Sequence, residues 1–403
     1  METRVISPVT SASVGAKGIA AAPLHRSRKS DSHRSLSAGK RGGAIYISLL
    51  RRCVSGGADD KRFGGDCPVR RCSDDPNAVY SAMGKREHVV IGRAMRWGHV
   101  AVALVTLAAT AAAAAWVLTK PRPAFDAIQA AALEHGVDAE RGKVIFEAGD
   151  CASCHASPGQ PDRLRLGGGL ALGSPFGTFF PPNISPDPSD GIGRWRTIDL
   201  ANALMSGVSP DGQHYYPALP YTSYAHMRVQ DVKDLMAYLR TLPQVQGRPP
   251  QHDLPFPFSI RRLIGFWKLL YLDRRPIGSD PARDPEWNRG RYLVEAVTHC
   301  AECHSARNLA NAIVESSRFA GGYDQEGAGY VPNITPFGIG HWSRADMVRV
   351  LTDGHTPESR QIGSSMADVV SNTADLPLAD REAIATYILA LPARHSPDAV
   401  KER

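Results

Sequence analysis

The hydrophobic pattern of the chain is dominated by an almost uninterrupted apolar run over Val100–Leu118. Trp97 and Trp116 lie 19 residues apart near its two ends, which is about 29 Å along a helix and close to the hydrocarbon thickness of a bilayer. Paired tryptophans at that separation are typical of the aromatic belts at the two membrane surfaces. The pattern therefore predicts a helix over residues 95–119 that anchors the chain in a membrane.

A cleaved signal peptide is the alternative for the same run, because the small residues Ala111–Ala115 offer an A-x-A cleavage site. Either interpretation exports everything after residue 120. The basic residues before the run, Lys85 and Arg96 among them, place its N-terminal side in the cytoplasm. We therefore expect the exported part on the periplasmic side of the inner (cytoplasmic) membrane.

Residues 1–94 are rich in Ser, Gly and Arg and show no lasting periodicity. That composition predicts a disordered N-terminal extension. Met83 or Met95 would be a better start for a chain that leads into an export signal, so the extension is a candidate for absence from the mature protein.

From Ala124 the chain is a tandem repeat whose two copies are offset by 147 to 150 residues. Pro182–Ser185 recurs as Pro332–Thr335, and Asp231–Pro243 recurs as Asp380–Pro392. Segments with helical periodicity alternate with loops rich in Gly and Pro, so long loops rather than strands are expected between the helices. The predicted fold class is all-α.

The repeat defines two predicted domains, residues 124–245 (repeat one) and 286–396 (repeat two). Between them, the linker of residues 246–285 contains an aromatic and basic stretch, Ser259–Tyr271, which predicts a short amphipathic segment. This segment either clamps the two domains together or docks on a membrane surface or a partner.

A glycine recurs in the first helix of each repeat, as Gly142 and Gly290. Without a side chain, each can let its helix press against the last helix of the repeat, beside Tyr238 or Tyr387. We expect this role to be structural.

Charge is distributed unevenly within the formal total of +7. Residues 1–119 carry 18 Lys and Arg against 8 Asp and Glu, whereas residues 120–403 carry 29 against 32. The repeats therefore lack the basic excess that a nucleic-acid-binding protein needs, and that class is excluded.

The attachment signature C-x-x-C-H of c-type haem occurs once in each repeat. The two copies are Cys151-Ala-Ser-Cys154-His155 and Cys300-Ala-Glu-Cys303-His304. Two thiols on one turn can each form a thioether with a haem vinyl group, and the adjacent imidazole then supplies an axial nitrogen. A redox disulfide or half of a Cys₄ zinc site is the alternative for a lone C-x-x-C, but both copies carry the histidine inside a longer repeat. The sequence therefore predicts two covalently bound haem c groups, with His155 and His304 as iron ligands.

The sixth iron ligand differs between the repeats. In repeat two the candidate is Met366, 62 residues after His304, since Met347 lies in a helical run where packing explains it. At the repeat offset Met366 falls on Leu219, which cannot bind iron. Repeat one therefore has no methionine at the equivalent place.

Met227, eight residues after Leu219, is the first candidate for the haem of repeat one. It also aligns with an apolar residue before the final helix of repeat two, where packing is the alternative role. His214 or His226 as the ligand, or an open iron, are the other possibilities.

Two further side chains have candidate roles near the haems. Trp195 and Trp342 recur in the repeat, and each has one N–H that suits a haem propionate, although an ordinary buried tryptophan is the alternative. Each haem histidine needs a carbonyl or carboxylate for its other ring N–H, and the backbone near Pro182 and Pro332 is the expected acceptor.

These motifs resemble the multihaem class I cytochrome c subunits of membrane-bound alcohol, gluconate and fructose dehydrogenases. Besides the two C-x-x-C-H sequences, the similarity is carried by Gly207–Gly212, Tyr216-Pro-Ala, Pro220–Tyr224 and Ser365–Val370. The resemblance implies two tandem class I cytochrome c domains after an N-terminal transmembrane anchor. It also implies redox partners, namely a dehydrogenase catalytic subunit on one side and quinone or a terminal oxidase on the other.

The sequence departs from that family in two places. Family members have Tyr-Pro-Ala-Met-Pro-Tyr where this chain has Leu219, and they typically carry a third haem domain, whereas eleven residues follow Pro392 here. We expect a membrane-tethered dihaem electron carrier rather than an enzyme. The alternative is a dihaem enzyme of the peroxidase kind that uses an open iron in repeat one.

Overall fold

The computed structural model describes residues 76–325 and 329–397, and it describes side chains from Trp97 onwards. Its first helix, α1 (Pro76–Leu118), contains the predicted anchor. Residues 76–94 belong to this helix too, in contrast to the disordered extension that composition predicts. Good helix formers cluster at residues 82–87, and Pro76 occupies the first position, where its missing N–H has no cost. Residues 1–75 of that extension lie outside the described residues.

Within α1, Trp97–Leu118 is long and apolar enough to cross a membrane, and it is the one such stretch among the described residues. The apolar side chains of this stretch are exposed, as they would be in contact with lipid. Its length and composition agree with the predicted anchor.

The described part of the chain is mainly helical. After α1, the α-helices are α2 Ala130–Leu133, α3 Ala139–Ala148, α4 Cys151–His155, α5 Thr197–Ser206, α6 Tyr221–Tyr224, α7 Val229–Leu239, α8 Ile264–Tyr271, α9 Pro285–Tyr292, α10 Pro336–Ile339, α11 Arg344–Asp353, α12 Ser365–Ala374 and α13 Leu378–Leu389. Shorter turns are the 3₁₀ turns Arg261–Leu263, Cys300–Glu302 and Glu315–Ser317 and the π turn Leu293–Val297.

The loops contain two small antiparallel sheets, which corrects the expectation of loops without strands. Strand β1 (Leu172–Ser174) pairs with β2 (Gly177–Phe179), with Leu172 opposite Phe179. Strand β3 (Gly322–Tyr323) pairs with β4 (Tyr330–Val331). Gly177 has a φ of 115°, a conformation that favours glycine, and it lets the first hairpin turn back on itself.

The core of each repeat is a crossing of its first and last helices at a glycine. A Cβ atom on Gly142 would lie 1.9 Å from the carbonyl oxygen of Asp234 in α7, and one on Gly290 would lie 1.9 Å from that of Ala383 in α13. The same built atoms would lie 2.9 Å from the Cβ atoms of Tyr238 and Tyr387. The structural role predicted for the two glycines is confirmed.

Both helix crossings are also braced by an ion pair. The guanidinium of Arg141 bonds the buried carboxylate of Asp234 at 2.8 Å, and Arg289 bonds Asp380 at 2.8 Å. Each arginine directly precedes the glycine of its crossing. One Arg-Gly dipeptide in each repeat therefore supplies both the close contact between the helices and the ion pair.

The linker helix α8 packs on both repeats, as the clamp interpretation of this segment expects. The side chain of Lys268 donates hydrogen bonds to the carbonyl oxygens of Ser206 and Gly207 in repeat one, at 2.8 and 2.5 Å. The indole N–H of Trp267 donates to the carbonyl oxygen of Ala310 in repeat two at 2.8 Å.

Candidate haem sites

In repeat one the C-x-x-C-H sequence forms helix α4 directly after α3. Asp150, between the two helices, has a left-handed backbone with a φ of 54° that reverses the chain. His155 ends α4, and its Nδ1–H donates to the carbonyl oxygen of Pro182 at 2.8 Å. The backbone oxygen of His155 accepts from the N–H of Gly168 at 2.8 Å, so the loop after the haem sequence holds this residue twice.

Repeat two reproduces this arrangement. His299 has a left-handed φ of 43° immediately before Cys300, and a 3₁₀ turn carries the cysteines. The Nδ1–H of His304 donates to the carbonyl oxygen of Pro332 at 2.8 Å, and its backbone oxygen accepts from Gly321 at 2.9 Å. The expectation that Pro182 and Pro332 accept the second ring N–H is confirmed.

These hydrogen bonds orient both imidazole rings and leave one ring nitrogen of each for an iron ion. Because Nδ1 is taken up by a carbonyl, Nε2 is the nitrogen left for a metal. Burial lowers the pKa of His155 and of His304, and the hydrogen bonds from Nδ1 to the proline carbonyls offset part of that change. Both rings are therefore neutral at physiological pH, which is the form that binds metals.

The cysteine environment also fits covalent haem attachment. Burial raises the pKa of Cys151 and of Cys300, and it raises that of Cys303 to about 11, so these sulfurs are thiols at neutral pH. Among the described residues, no group of three or more His, Cys, Asp or Glu is arranged to hold a metal ion. Paired thiols on one turn beside a neutral, oriented imidazole suit a haem c better than a bare ion.

The candidates for the sixth ligand lie in different settings. Met366 is half-buried at the start of α12. Met227 is 4% exposed and belongs to the hydrophobic core, two residues before α7, as the packing alternative expects. Leu219 packs against the same core. Both ligand assignments stay predictions.

His214 and His226, the other candidates for the sixth ligand in repeat one, each form a hydrogen bond with a backbone carbonyl oxygen. His214 is buried, and its Nε2–H donates to the carbonyl oxygen of Thr119, just after α1, at 2.8 Å. His226 has Nδ1 at 2.6 Å from the carbonyl oxygen of Arg275 in the linker.

The two tryptophans differ from each other. The indole N–H of Trp342 donates to the carboxylate of Glu358 at 3.1 Å, so it already has a protein acceptor. Trp195 lies partly buried against the core. Their predicted contacts with haem propionates stay predictions.

Sequence reasoning missed the contacts that join each haem-attachment turn to a helix of the other repeat. The amide of Asn372 in α12 donates to the hydroxyl of Ser153 at 3.0 Å, inside the first C-x-x-C-H sequence. The hydroxyl of Thr222 in α6 donates to the carboxylate of Glu302 at 2.5 Å, inside the second, and Ser223 lies 3.4 Å from the same oxygen.

These contacts form a reciprocal pair. At an offset of 149, Ser153 corresponds to Glu302 and Ser223 corresponds to Asn372. Each repeat therefore presents the same two positions to the other, as subunits do across a two-fold axis. We call this surface the reciprocal interface.

The residues directly before the two haem sequences meet in the reciprocal interface. The carbonyl oxygen of Gly149 accepts from the hydroxyl of Tyr224 at 2.9 Å and from Nε2–H of His299 at 3.3 Å. The rings of Tyr224 and His299 lie edge to face with centroids 5.7 Å apart. The carboxylate of Asp150 accepts from Ser153 and Asn372, and burial raises its pKa.

The family model and the relatives that match this chain all point to cytochrome c. The model of the cytochrome c family matches residues 139–243. A protein of Cereibacter sphaeroides described as a dihaem c-type cytochrome is 50% identical over 258 residues, which cover 64% of this chain and 86% of that protein.

Two relatives are parts of dehydrogenases. A subunit of nicotinate dehydrogenase from Pseudomonas putida is 39% identical over 254 residues, and the cytochrome subunit of fructose dehydrogenase from Gluconobacter japonicus is 38% identical over 282 residues. The matches cover 62% and 68% of this chain, but they span 21% of the first protein and 55% of the second. Their names point to different substrates, so no one substrate follows from them.

Proposed function

The chain belongs to the cytochrome c family that includes these dihaem and dehydrogenase-associated cytochromes, and from that membership we propose that it is a membrane-tethered dihaem electron carrier. It consists of two tandem class I cytochrome c domains, one in each repeat. It accepts electrons from the catalytic subunit of a dehydrogenase and passes them towards quinone or a terminal oxidase. Helix α1 holds it in the inner membrane, with both repeats on the periplasmic side.

Each repeat holds its haem through the two cysteines and the histidine of its C-x-x-C-H sequence. When bound, the haem supplies one-electron chemistry between ferric and ferrous iron. The protein orients His155 and His304 through the carbonyls of Pro182 and Pro332, so each ring keeps one orientation while the charge on the iron changes.

The observation that carries this proposal is the reciprocal interface. Asn372–Ser153 and Thr222–Glu302 bond each haem-attachment turn to a helix of the other repeat, and the residues just before the two turns meet at Gly149 and His299. Attachment turns that are bonded to the opposite repeat and adjoin one contact, Gly149–His299, favour transfer from one haem to the other, because neither turn has to move.

The test is to produce the full chain in a host that attaches c-type haem. We expect a mass and a haem absorbance that correspond to two covalent haems. The double variant Cys151→Ala/Cys154→Ala should lose one haem, and the matched variant Cys300→Ala/Cys303→Ala should lose the other. A colourless chain of unmodified mass would refute the proposal.

A dihaem enzyme with an open iron in repeat one is the second candidate. Two observations favour it: Leu219 stands where the ligand methionine would align, and Met227 is packed in the core. The oxidised spectrum distinguishes the two functions. A high-spin haem that binds cyanide would favour the enzyme, whereas two low-spin haems would favour the carrier.

A further inference from the structure

The end of helix α1 is built into the haem-bearing part of the chain. Thr119, directly after α1, is 2% exposed, and its carbonyl oxygen accepts from Nε2–H of His214. Gly265 in α8 presses on it, since a Cβ there would lie 2.4 Å from the carbonyl oxygen of Thr119. The direction in which α1 leaves the repeats is therefore fixed by α8 and His214.

Arg262, just before α8, reaches the tryptophan at that end of the apolar run. Its guanidinium lies 4.2 Å from the ring centre of Trp116 and donates to the carbonyl oxygen of the same residue. It also donates to the hydroxyl of Thr119 at 3.2 Å. Because Trp116 marks the membrane surface in the proposed anchor, these contacts place the start of α8 at that surface.

The linker exposes an unusual number of large apolar side chains beside this contact. Those before α8 are Phe256, Phe258, Ile260 and Leu263, with Phe256 81% exposed. Those within α8 are Phe266, Leu269 and Leu270, with Leu270 74% exposed. A surface helix in water normally turns polar residues outward, so this face indicates an apolar environment.

Lipid is the occupant that these features favour. Helix α8 starts beside Trp116 and Thr119, so its exposed apolar side chains begin where the apolar run of α1 ends. Arg261 and Arg262 lie before α8, and residues 256–272 include no acidic residue, which suits anionic lipid headgroups; Lys268 faces repeat one.

We propose that residues 256–271, the membrane-facing segment, lie in the interface of the bilayer beside the end of α1. The segment is a second membrane contact and sets the orientation of both repeats towards the lipid surface. This inference rests on the proposed anchoring by α1, and its test separates the two.

The experiment uses the full haem-loaded chain with Cys53, Cys67 and Cys72 replaced by Ser, in vesicles of phosphatidylethanolamine and phosphatidylglycerol. A nitroxide label is attached at Leu270→Cys in the segment or at Val105→Cys in α1. The matched control is Leu378→Cys, an exposed leucine at the start of α13. Electron paramagnetic resonance then measures collisions of each label with oxygen and with a water-soluble nickel chelate, and the haem absorbance verifies folding.

We expect the Leu270→Cys and Val105→Cys labels to collide several-fold less with the nickel chelate than the Leu378→Cys label does. A Leu270→Cys label as accessible as the control, with the Val105→Cys label in lipid, would overturn the second contact and leave the anchor intact. The reverse pattern would refute the anchor and, with it, the placement of the segment beside the end of α1, and both labels in water would refute both.

Discussion

At the scale of single residues, Asp150 and His299 occupy equivalent positions in the two repeats, although the two residues differ in type. Both have left-handed backbones directly before the first cysteine, and aspartate tolerates that conformation better than most residues. Their side chains point into the reciprocal interface, where Asp150 is held by Ser153 and Asn372.

Asp150 should make stability depend on pH. Burial raises its pKa, nearby Asp368 adds to the rise, and His299 and the two hydrogen bonds oppose it. A carboxyl with a raised folded-state pKa contributes stability that is complete below its unfolded pKa and is lost as pH rises through the folded value. We expect Asp150→Asn, which keeps the hydrogen-bond acceptor, to be more stable than wild type at pH 7, with the advantage shrinking towards pH 4.

Chemical denaturation of the haem-loaded protein at several pH values measures this difference. Asp126→Asn, at an exposed aspartate, is the control and should show no such trend. A constant difference between Asp150→Asn and wild type at all pH values would contradict the prediction.

Met366 can be tested by a single substitution. If it binds the iron of repeat two, Met366→Leu should abolish one methionine-to-iron charge-transfer band and lower one potential by on the order of 0.1 V or more, since axial ligands set haem potentials over ~0.8 V. Spectroelectrochemistry measures both changes. Met347→Leu, at a buried methionine of α11, should leave band and potential in place, and equal effects of the two variants would contradict the assignment.

At the scale of elements, the crossing of α9 and α13 leaves no room for a side chain at Gly290. Gly290→Ala would put a methyl group against the carbonyl of Ala383, and such overpacking costs about 1–3 kcal/mol or more. We expect thermal unfolding of the haem-loaded variant at a lower temperature. Gly278→Ala is the matched control, since a Cβ there has nothing within 4 Å, and an equal loss in both variants would refute the packing explanation.

Local signals in the sequence predicted most of these elements. The haem sequences, the glycines of the crossings and the apolar run depend on spacing or on residue type, and the structure has an α-helix or a 3₁₀ turn at each of them. The extension of α1 back to Pro76 was missed because a polar segment without hydrophobic periodicity has the same composition as a disordered one. The hairpin at Gly177 was missed because its strands are three residues long.

The reciprocal interface could not be predicted in the same way. Ser153 and Asn372 are 219 residues apart, and neither belongs to a motif that demands a partner. The corresponding positions in the other repeat, Glu302 and Ser223, differ in type, so the repeat pattern hides their pairing. Likewise, no spacing rule identifies the sixth ligand of repeat one once Leu219 replaces the expected methionine.

At the scale of the whole molecule, the reciprocal interface should make the two repeats unfold cooperatively. Asn372→Ala removes a donor from the buried carboxylate of Asp150 and from Ser153, and a buried acceptor that loses a partner costs about 1–3 kcal/mol. We expect the absorbance of both haems to shift in one unfolding transition, at a lower temperature than in wild type.

The neighbouring variant Ser371→Ala is the control for Asn372→Ala. Its hydroxyl accepts from the half-buried Arg163 of repeat one at 2.6 Å, but this bond leaves no buried carboxylate without a donor when it is removed, so we expect a smaller change. Two separate transitions in wild type, one for each haem, would show that the repeats unfold independently.

In the reciprocal interface, both contacting faces are covered. Because each repeat uses the same face to contact the other, that face cannot also receive a redox protein from outside. In the proposed carrier, donor and acceptor would therefore have to dock on other surfaces of the repeats, which the duplication left free to diverge.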